Sequence, residues 1–84
     1  MEQKIGRITH YFGKIGVAVI ELTDGSLAVG DNIRVRGGDR EFDQAVSSMQ
    51  IEHQEVSRAE VGQSLGLKVE SPAKEGDEVF KLAE

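Results

Sequence analysis

Apolar and polar side chains alternate along several short segments of this chain. Segments 32–36 and 64–69 each place an apolar residue at every second position. Since successive side chains of a strand point to opposite faces, this period of two predicts strands with one buried face. Segment 15–22 is mostly apolar on both faces and rich in β-branched residues, which predicts a central strand. Segment 78–82 is predicted as the last strand.

A glycine followed by Asp or Gln precedes three of the predicted strands. The phrase occurs at Gly30-Asp31, Gly62-Gln63 and Gly76-Asp77. Glycine adopts positive φ at no steric cost, and Asp hydrogen-bonds to nearby backbone groups. Three such turns, each leading into a strand, predict an all-β fold. We expect a small β-barrel, with residues 1–84 forming a single domain.

Two predicted strands contain breaks in the alternation. The first, 4–11, changes parity near Gly6-Arg7, which predicts a bulge. The longest, 42–53, is predicted to bend at a bulge at Ser47-Ser48, where the chain turns a corner of the barrel. Segment 55–61 has apolar positions for one helical turn at most.

Composition narrows the class of protein. The 84 residues include 15 acidic and 10 basic side chains, for a net charge of −5, and no cysteine. This charge argues against tight, non-specific nucleic-acid binding, which depends on phosphate neutralisation, but it allows a local basic patch. The sequence contains no apolar run near the ~18 residues of a membrane span, and 1–4 lacks the features of a signal peptide. We therefore expect a soluble, cytoplasmic monomer without disulfides.

Few residues have a spacing that supports chemistry. His10 and His53 are the two histidines, and they have no acidic partners at metal-ligand spacing. No spacing of Ser, His and Asp indicates a nucleophilic triad. Gly13-Lys14 comes nearest to a phosphate-binding loop, but Ile15 follows where Ser or Thr is needed. We therefore expect a protein that is not an enzyme and that uses no metal, cofactor or nucleotide.

The order of these parts resembles that of a known kind of domain. The chain resembles the second domain of the translational GTPases, which is the β-barrel beside the GTP-binding domain in elongation factor Tu. It is also similar to the C-terminal barrel of the collagenase-like peptidases linked to RNA hydroxylation, and to small bacterial proteins called translation elongation factor-like. The match runs from Ile5 to Leu82. The residues that carry it are Gly13, Lys14, Val17, Val19, Gly25, Leu27, Val29, Gly30, Asp31, Ile33, Val35, Val56, Ala59, Gly62, Leu65, Gly66, Leu67, Val69, Gly76, Asp77 and Val79.

The resemblance implies a small closed antiparallel β-barrel of about six strands, which is non-catalytic and binds other molecules. In elongation factor Tu, an acidic pair near the start of this barrel helps to recognise the aminoacyl end of tRNA. Gly6 and Arg7 stand at the matching positions here. The loss of the acidic pair speaks against aminoacyl-tRNA binding.

Five basic residues are the candidates for RNA contact. Arg34 and Arg36 lie two apart on one predicted strand and so share a face, and Arg40 follows across the loop. Arg7 and Lys14 lie near them if the barrel closes as it does in the family. Arginine offers planar, bidentate donors to phosphate, which favours contact with an RNA backbone. The alternative is an ordinary solvated strand face, because acidic residues lie close by in the sequence.

Tyr11 and Phe12 are candidates for an exposed aromatic end of the barrel. They lie at the end of the first predicted strand, next to a glycine. An exposed pair would offer a platform for a base or for an apolar side chain of a partner. The alternative is that the two rings close the end of the barrel.

Two functional interpretations follow. The first is a binding module that contacts ribosomal RNA or tRNA, or the translation and RNA-modification machinery, and the arginine face favours it. The second is a protein–protein adaptor that docks on a peptidase-like, RNA-modifying enzyme. Such an adaptor would supply the barrel that relatives carry within their own chain. The acidic surface and the aromatic end favour this second interpretation.

Overall fold

The computed structural model describes residues 2–82, which form strands and turns and contain no helix. The strands in this part of the chain are β1 (Glu2–Phe12), β2 (Val17–Leu22), β3 (Leu27–Ala28), β4 (Asn32–Gly37), β5 (Arg40–Ala45), β6 (Met49–Ile51), β7 (Gln54–Val56), β8 (Arg58–Ala59), β9 (Ser64–Lys68) and β10 (Glu78–Leu82). The prediction of an all-β fold is confirmed, and so are the bounds of the last strand.

The strands form one antiparallel sheet of eight and a separate pair. The order in the large sheet is β5-β4-β10-β1-β2-β9-β6-β7, and β3 pairs with β8. The closed barrel of about six strands predicted from the sequence is not found within residues 2–82. The reason is that β5 and β7 stand at the two ends of the strand order and do not pair with each other.

The gap between β5 and β7 has a local cause. The sequence predicts one long strand over 42–53, but the chain leaves the ladder between β5 and β6. There the buried Val46 donates its N–H to the carbonyl of Asp31 at 2.8 Å and accepts from the N–H of Gly30 at 2.9 Å. These bonds replace a continuous ladder. The expected irregularity at Ser47-Ser48 is therefore a break between two strands and not a bulge within one.

Segment 55–61, predicted to hold one helical turn at most, is strand over 55–56 and 58–59. These residues belong to the end of β7 and to β8, a bend at Ser57 separates them, and 60–61 enter the turn that follows. Val56 packs on the core from β7, and Ala59 is buried in β8. The helix-like spacing of these two apolar residues arises because a bend lies between them.

The predicted irregularity in β1 is confirmed. Pairing with β10 shifts register between Lys4 and Gly6, and pairing with β2 shifts between Ile8 and His10. The first shift lets Ile5 and Ile8 both point into the core despite their opposite parity. Gly6 is required there, because a Cβ at this position would lie 2.2 Å from the carbonyl oxygen of Glu21.

Aliphatic side chains fill the core, and most of them come from strands of the large sheet. The predicted inward residues of β4 and β9 are confirmed as buried. Each large side chain that is fully buried contributes about 1.5–3 kcal/mol relative to exposure. The largest buried side chains are Ile5, Ile8, Ile20, Leu22, Leu27, Ile33, Met49, Leu65, Leu67, Val35, Val46 and Val79.

The glycine phrases form three turns of the same construction, which we call corners. Corner 1 is 28–31, corner 2 is 60–63 and corner 3 is 74–77. The third residue of each is a glycine with φ of 99°, 93° and 91°, respectively. The N–H of the fourth residue donates to the carbonyl of the first at 3.1 Å in each corner. Positive φ at the third position together with this hydrogen bond is the pattern of a type II turn.

The fourth side chain completes each corner. Asp31, Gln63 and Asp77 accept a hydrogen bond from the N–H of the first residue of their corner, at 2.9, 2.7 and 3.0 Å. The glycine N–H and the fourth carbonyl then bond to one buried residue elsewhere in the chain. These residues are Val46 at corner 1, Leu22 at corner 2 and Ile8 at corner 3. Each corner therefore anchors a surface turn to the core.

Candidate functional site

Arg34 and Arg36 project from β4 on the outer face of the sheet, as the sequence predicts. Arg34 stands directly opposite Asp43 of β5. Its Nε and one terminal nitrogen donate to the two oxygens of Asp43 at 2.7 and 3.0 Å, and its other terminal nitrogen donates to Glu2 at 2.8 Å. Arg34 and Asp43 form a bidentate pair, and the register of β4 against β5 brings the two side chains together.

Arg36 forms a similar set of contacts two residues further along β4. Its Nε donates to Glu41 at 2.6 Å, and a terminal nitrogen lies 3.0 Å from Glu2. Its guanidinium carbon lies 4.9 Å from the centre of the Phe80 ring, which is within cation–π distance. Arg34 and Arg36 thus share Glu2.

These five residues form what we call the charged cluster: Glu2, Arg34, Arg36, Glu41 and Asp43. Hydrogen bonds from Arg34 lower the pKa values of the Glu2 and Asp43 carboxyls. The same bonds raise the pKa of Arg34. The cluster carries more carboxylates than guanidiniums, so an anion approaching it would have to displace acidic partners.

Arg40 lies apart from the charged cluster. One of its terminal nitrogens donates to both carboxylate oxygens of Asp77, at 3.0 and 3.1 Å. The Asp77 side chain is only 7% exposed. A Cβ on Gly37 would lie 1.9 Å from an oxygen of Asp77, so the glycine makes room for the carboxylate. Arg40 therefore supports corner 3 from β5.

The remaining two basic candidates lie elsewhere. Arg7 is opposite Glu21 on the β1–β2 ladder and pairs with it at 3.1 Å. Lys14 is exposed in the turn between β1 and β2. Of the five predicted contact residues, the structure brings only Arg34 and Arg36 into one cluster.

Tyr11 and Phe12 do not form one aromatic surface. Tyr11 is half-buried and packs against the core, whereas Phe12 is 51% exposed. Adjacent residues of a strand face opposite ways, which explains the separation. The Phe12 ring instead lies 6.2 Å from the His10 ring, the next side chain on its own face.

Phe12 borders a surface depression that the sequence did not identify, which we call the outer groove. It is about 290 Å³ in volume and lies on the face of the sheet opposite the core. Val17 and Val19 form one side, because they alternate outward from the buried positions of β2. The signal was present in the sequence: segment 15–22 is apolar on both faces, and only one face is needed for the core. The lining that matters here is Phe12, Ile15, Val17, Val19, Glu52 and Gly66.

The opposite rim of the outer groove is the hairpin turn between β6 and β7. Glu52 and His53 occupy this two-residue turn with φ of 51° and 66°. Positive φ at both positions is the geometry of a type I′ turn, in which Asn-Gly is preferred. A Glu-His pair in this conformation stores backbone strain.

Ser64 at the start of β9 lies within the sequence Gly62-Gln63-Ser64-Leu65-Gly66, which has Gly-x-Ser-x-Gly spacing. A nucleophile elbow of this type requires the serine at a sharp turn between a strand and a helix. Here Ser64 follows corner 2 and pairs with Glu21 in the ladder. Although His53 also borders the outer groove, no hydrogen bond joins it to Ser64 within residues 2–82. The context is therefore that of a strand and not of an elbow.

Within residues 2–82, no group of three or more His, Cys, Asp or Glu side chains is placed to hold a metal ion. In the same range, no helix has the length and hydrophobicity needed to cross a bilayer.

The chain resembles one segment of larger proteins. No family model matches it. It is 38% identical over 82 residues to an uncharacterized protease of Methanocaldococcus jannaschii, covering 96% of this chain and 20% of that protein. It is 30% identical over 79 residues to a collagenase of Porphyromonas gingivalis, covering 93% of this chain and 22% of that protein. The chain thus spans about a fifth of the length of these curated relatives.

Solved structures share the fold. The C-terminal domain of a Geobacillus thermoleovorans protein described as a U32 peptidase matches with a TM-score of 0.87 and 21% identity, over 94% of this chain and 91% of that domain. Its selenomethionine variant matches with a TM-score of 0.86 and 20% identity, over 92% of this chain and 96% of that domain. The comparisons support the collagenase-like part of the resemblance and not the translation-factor part. The relatives are peptidase-like, and the fold is that of a U32 peptidase C-terminal domain.

Proposed function

We propose that this chain is a non-catalytic module that docks on a peptidase-like enzyme. The observation that carries the proposal is the extent of the similarity. Nearly the whole chain matches, but it matches only about a fifth of each curated relative. Most of each relative therefore lies outside the matched segment. The solved domain with this fold is the C-terminal domain of its protein, and a small domain beside a larger peptidase region is suited to an accessory role.

Within residues 2–82 the candidate reactive side chains are not assembled into one centre, which supports a non-catalytic role. The inward face of the sheet is filled with aliphatic side chains. Arg34, Arg36 and Arg40 are held by carboxylates, and Ser64 makes no hydrogen bond to His53 within the described part of the chain. An enzyme site would need convergent polar groups in a pocket.

The resemblance to peptidases linked to RNA hydroxylation makes an RNA-modifying enzyme of this kind the partner that we propose. Direct RNA contact through Arg7, Lys14, Arg34, Arg36 and Arg40 stays a prediction from the sequence. The geometry gives it less support, because phosphate would compete with Glu2, Glu41 and Asp43 for the guanidiniums.

Affinity purification of the tagged chain from cells of its source organism tests the proposal. We expect a protein with a peptidase-like catalytic region to co-purify in the same amount with and without nuclease. Recovery that disappears after nuclease treatment, or depends on Arg34 and Arg36, would instead support the RNA-binding interpretation. Recovery of no peptidase-like protein in either condition would contradict the proposal.

A further inference from the structure

The outer groove has an exposed apolar side that the fold itself does not use. Phe12 is 51% and Ile15 64% exposed, and both adjoin the half-buried Val17 and Val19. The two other exposed large apolar residues within 2–82, Val29 and Val61, lie outside the outer groove, each at the second position of a different corner. Isolated apolar residues on a surface need no explanation, whereas contiguous ones mark an interaction site.

Gly66 leaves the floor of the groove open. It lies in the interior of β9 between Val19 and Gln50. Its φ is not positive, and a Cβ would meet Val17 at 3.5 Å and the carbonyl of Gln50 at 3.9 Å, both ordinary contacts. Neither backbone geometry nor packing demands glycine here. Glycine inside a strand weakens the strand and often marks close approach by a ligand or another backbone.

One end of the groove is acidic. Glu52 lines the groove, follows β6 and lies beyond Gln50, toward the Ser64 end of β9. It has no ion-pair partner within residues 2–82. Lys68 lies outside the lining, at the other end of β9 and about 13 Å from Ser64 along the strand. The groove thus has an apolar wall and an acidic end.

We infer that the outer groove takes an amphipathic segment of the peptidase-like enzyme, with apolar side chains in the centre and a Lys or Arg at the Glu52 end. This inference rests on the proposed function. Glu52 at one end sets where the basic residue of the bound segment lies, and the apolar wall supplies the buried contact. The volume of about 290 Å³ falls just under the range of small-molecule sites, about 300–1,000 Å³, which suits a few side chains of a protein.

The test uses the full 84-residue chain and the co-purified enzyme, with dissociation constants measured by calorimetry. The double variant Phe12→Ser/Ile15→Ser is expected to weaken binding at least tenfold, since exposed aromatic and aliphatic anchors dominate such interfaces. The matched control is Val29→Ser/Val61→Ser, which makes the same kind of change at exposed positions outside the groove. We expect it to bind within about twofold of the original chain.

A second variant separates binding from folding. Gly66→Ala fills the floor of the groove without a steric conflict, so its melting temperature should stay the same or rise while its affinity falls. Glu52→Lys should weaken binding and reduce its salt dependence. Glu70→Lys, an exposed acidic position outside the groove, serves as its control and should bind like the original chain.

The outcomes are distinguishable. If the original chain binds the enzyme and the groove variants bind equally well, the groove is overturned while the proposed function stands. If the original chain does not bind, both fail. Sedimentation of the chain alone covers the remaining case: a dimer that Phe12→Ser/Ile15→Ser dissociates would assign the groove to a second copy and overturn the inference.

Discussion

Corner 3 and the 52–53 turn both hold backbone at positive φ, but they do so in opposite ways. Corner 3 places Gly76 at the demanding position and surrounds it with hydrogen bonds. The 52–53 turn places Glu52 and His53 in the left-handed region. Glycine adopts such angles without steric cost, whereas a residue with a Cβ is strained there. Corner 3 is therefore built for stability, whereas the 52–53 turn keeps particular side chains at the rim of the outer groove.

Removing the carboxylate of corner 3 should cause the largest loss of stability. Asp77→Ala deletes the acceptor for the N–H of Lys74 and leaves Arg40 without its partner. We expect a loss of about 2–3 kcal/mol in the free energy of unfolding, because a charge is left partly buried and unpaired. Urea denaturation measures this loss.

Asp31→Ala is the matched control for that change. It deletes the equivalent acceptor at corner 1, where the carboxylate is about one-third exposed and lies 3.5 Å from Lys81. The expected loss is about 1 kcal/mol. Equal losses at the two corners would contradict the view that the Arg40 pair reinforces corner 3.

Changing a corner glycine isolates backbone strain from packing. In Gly62→Ala, the new Cβ would have no atom within 4 Å, so the cost comes from φ of 93° alone. We expect a loss of about 1–2 kcal/mol, seen as a lower midpoint in urea at an unchanged slope. Gly66→Ala is the control, because its backbone angle suits any residue, and a comparable loss there would show that strain is not the cause.

Relaxing the 52–53 turn should produce the opposite sign. Glu52→Asn/His53→Gly introduces the residues that a type I′ turn prefers, and we expect a gain of about 0.5–1 kcal/mol in the free energy of unfolding. Binding to the enzyme should weaken at the same time, because Glu52 is lost. A variant that is less stable than the original chain would contradict the assignment of strain to this turn.

The smallest effect is expected from surface charge. Hydrogen bonds from Arg34 hold the pKa values of Glu2 and Asp43 below their ordinary values of 4.5 and 3.8. Because the folded pKa values are the lower ones, ionisation stabilises the fold above the ordinary values, and this contribution disappears as pH falls through the lowered ones. Stability measured between about pH 5 and 2 should therefore fall less steeply for Glu2→Gln/Asp43→Asn than for the original chain. The same fall in stability with pH for both proteins would contradict a stabilising role of these two carboxylates.

Local patterns in the sequence predict local structure well. The glycine phrases predict the corners because positive φ and side-chain capping depend on adjacent residues only. Alternation predicts the buried residues of β4 and β9 for the same reason. The bulge in β1 follows from the parity of Ile5 and Ile8, which both had to be buried.

Features that depend on register or on distant partners were not predictable in this way. The open sheet follows from Val46 bonding to Gly30 and Asp31 of corner 1, a pairing that no local pattern around Val46 indicates. The carboxylates that hold Arg34 and Arg36 are set by the pairing of β4 with β5. Segment 15–22 is apolar on both faces, but predicting the outer groove also requires the knowledge that only one face of β2 is covered by the core. The separation of Tyr11 from Phe12, by contrast, follows from strand parity and was available from the sequence.

The anchoring of the corners has a consequence for how the chain acquires its structure. Corner 1 bonds to a residue a short distance along the chain, corner 2 to one much further away, and corner 3 joins Ile8 to Asp77 across almost its full length. Loop closure becomes entropically more costly with such separation, and non-local pairings slow folding. The edge of β1 that pairs with β10 therefore stays without its partner until residues 76–82 have been synthesised.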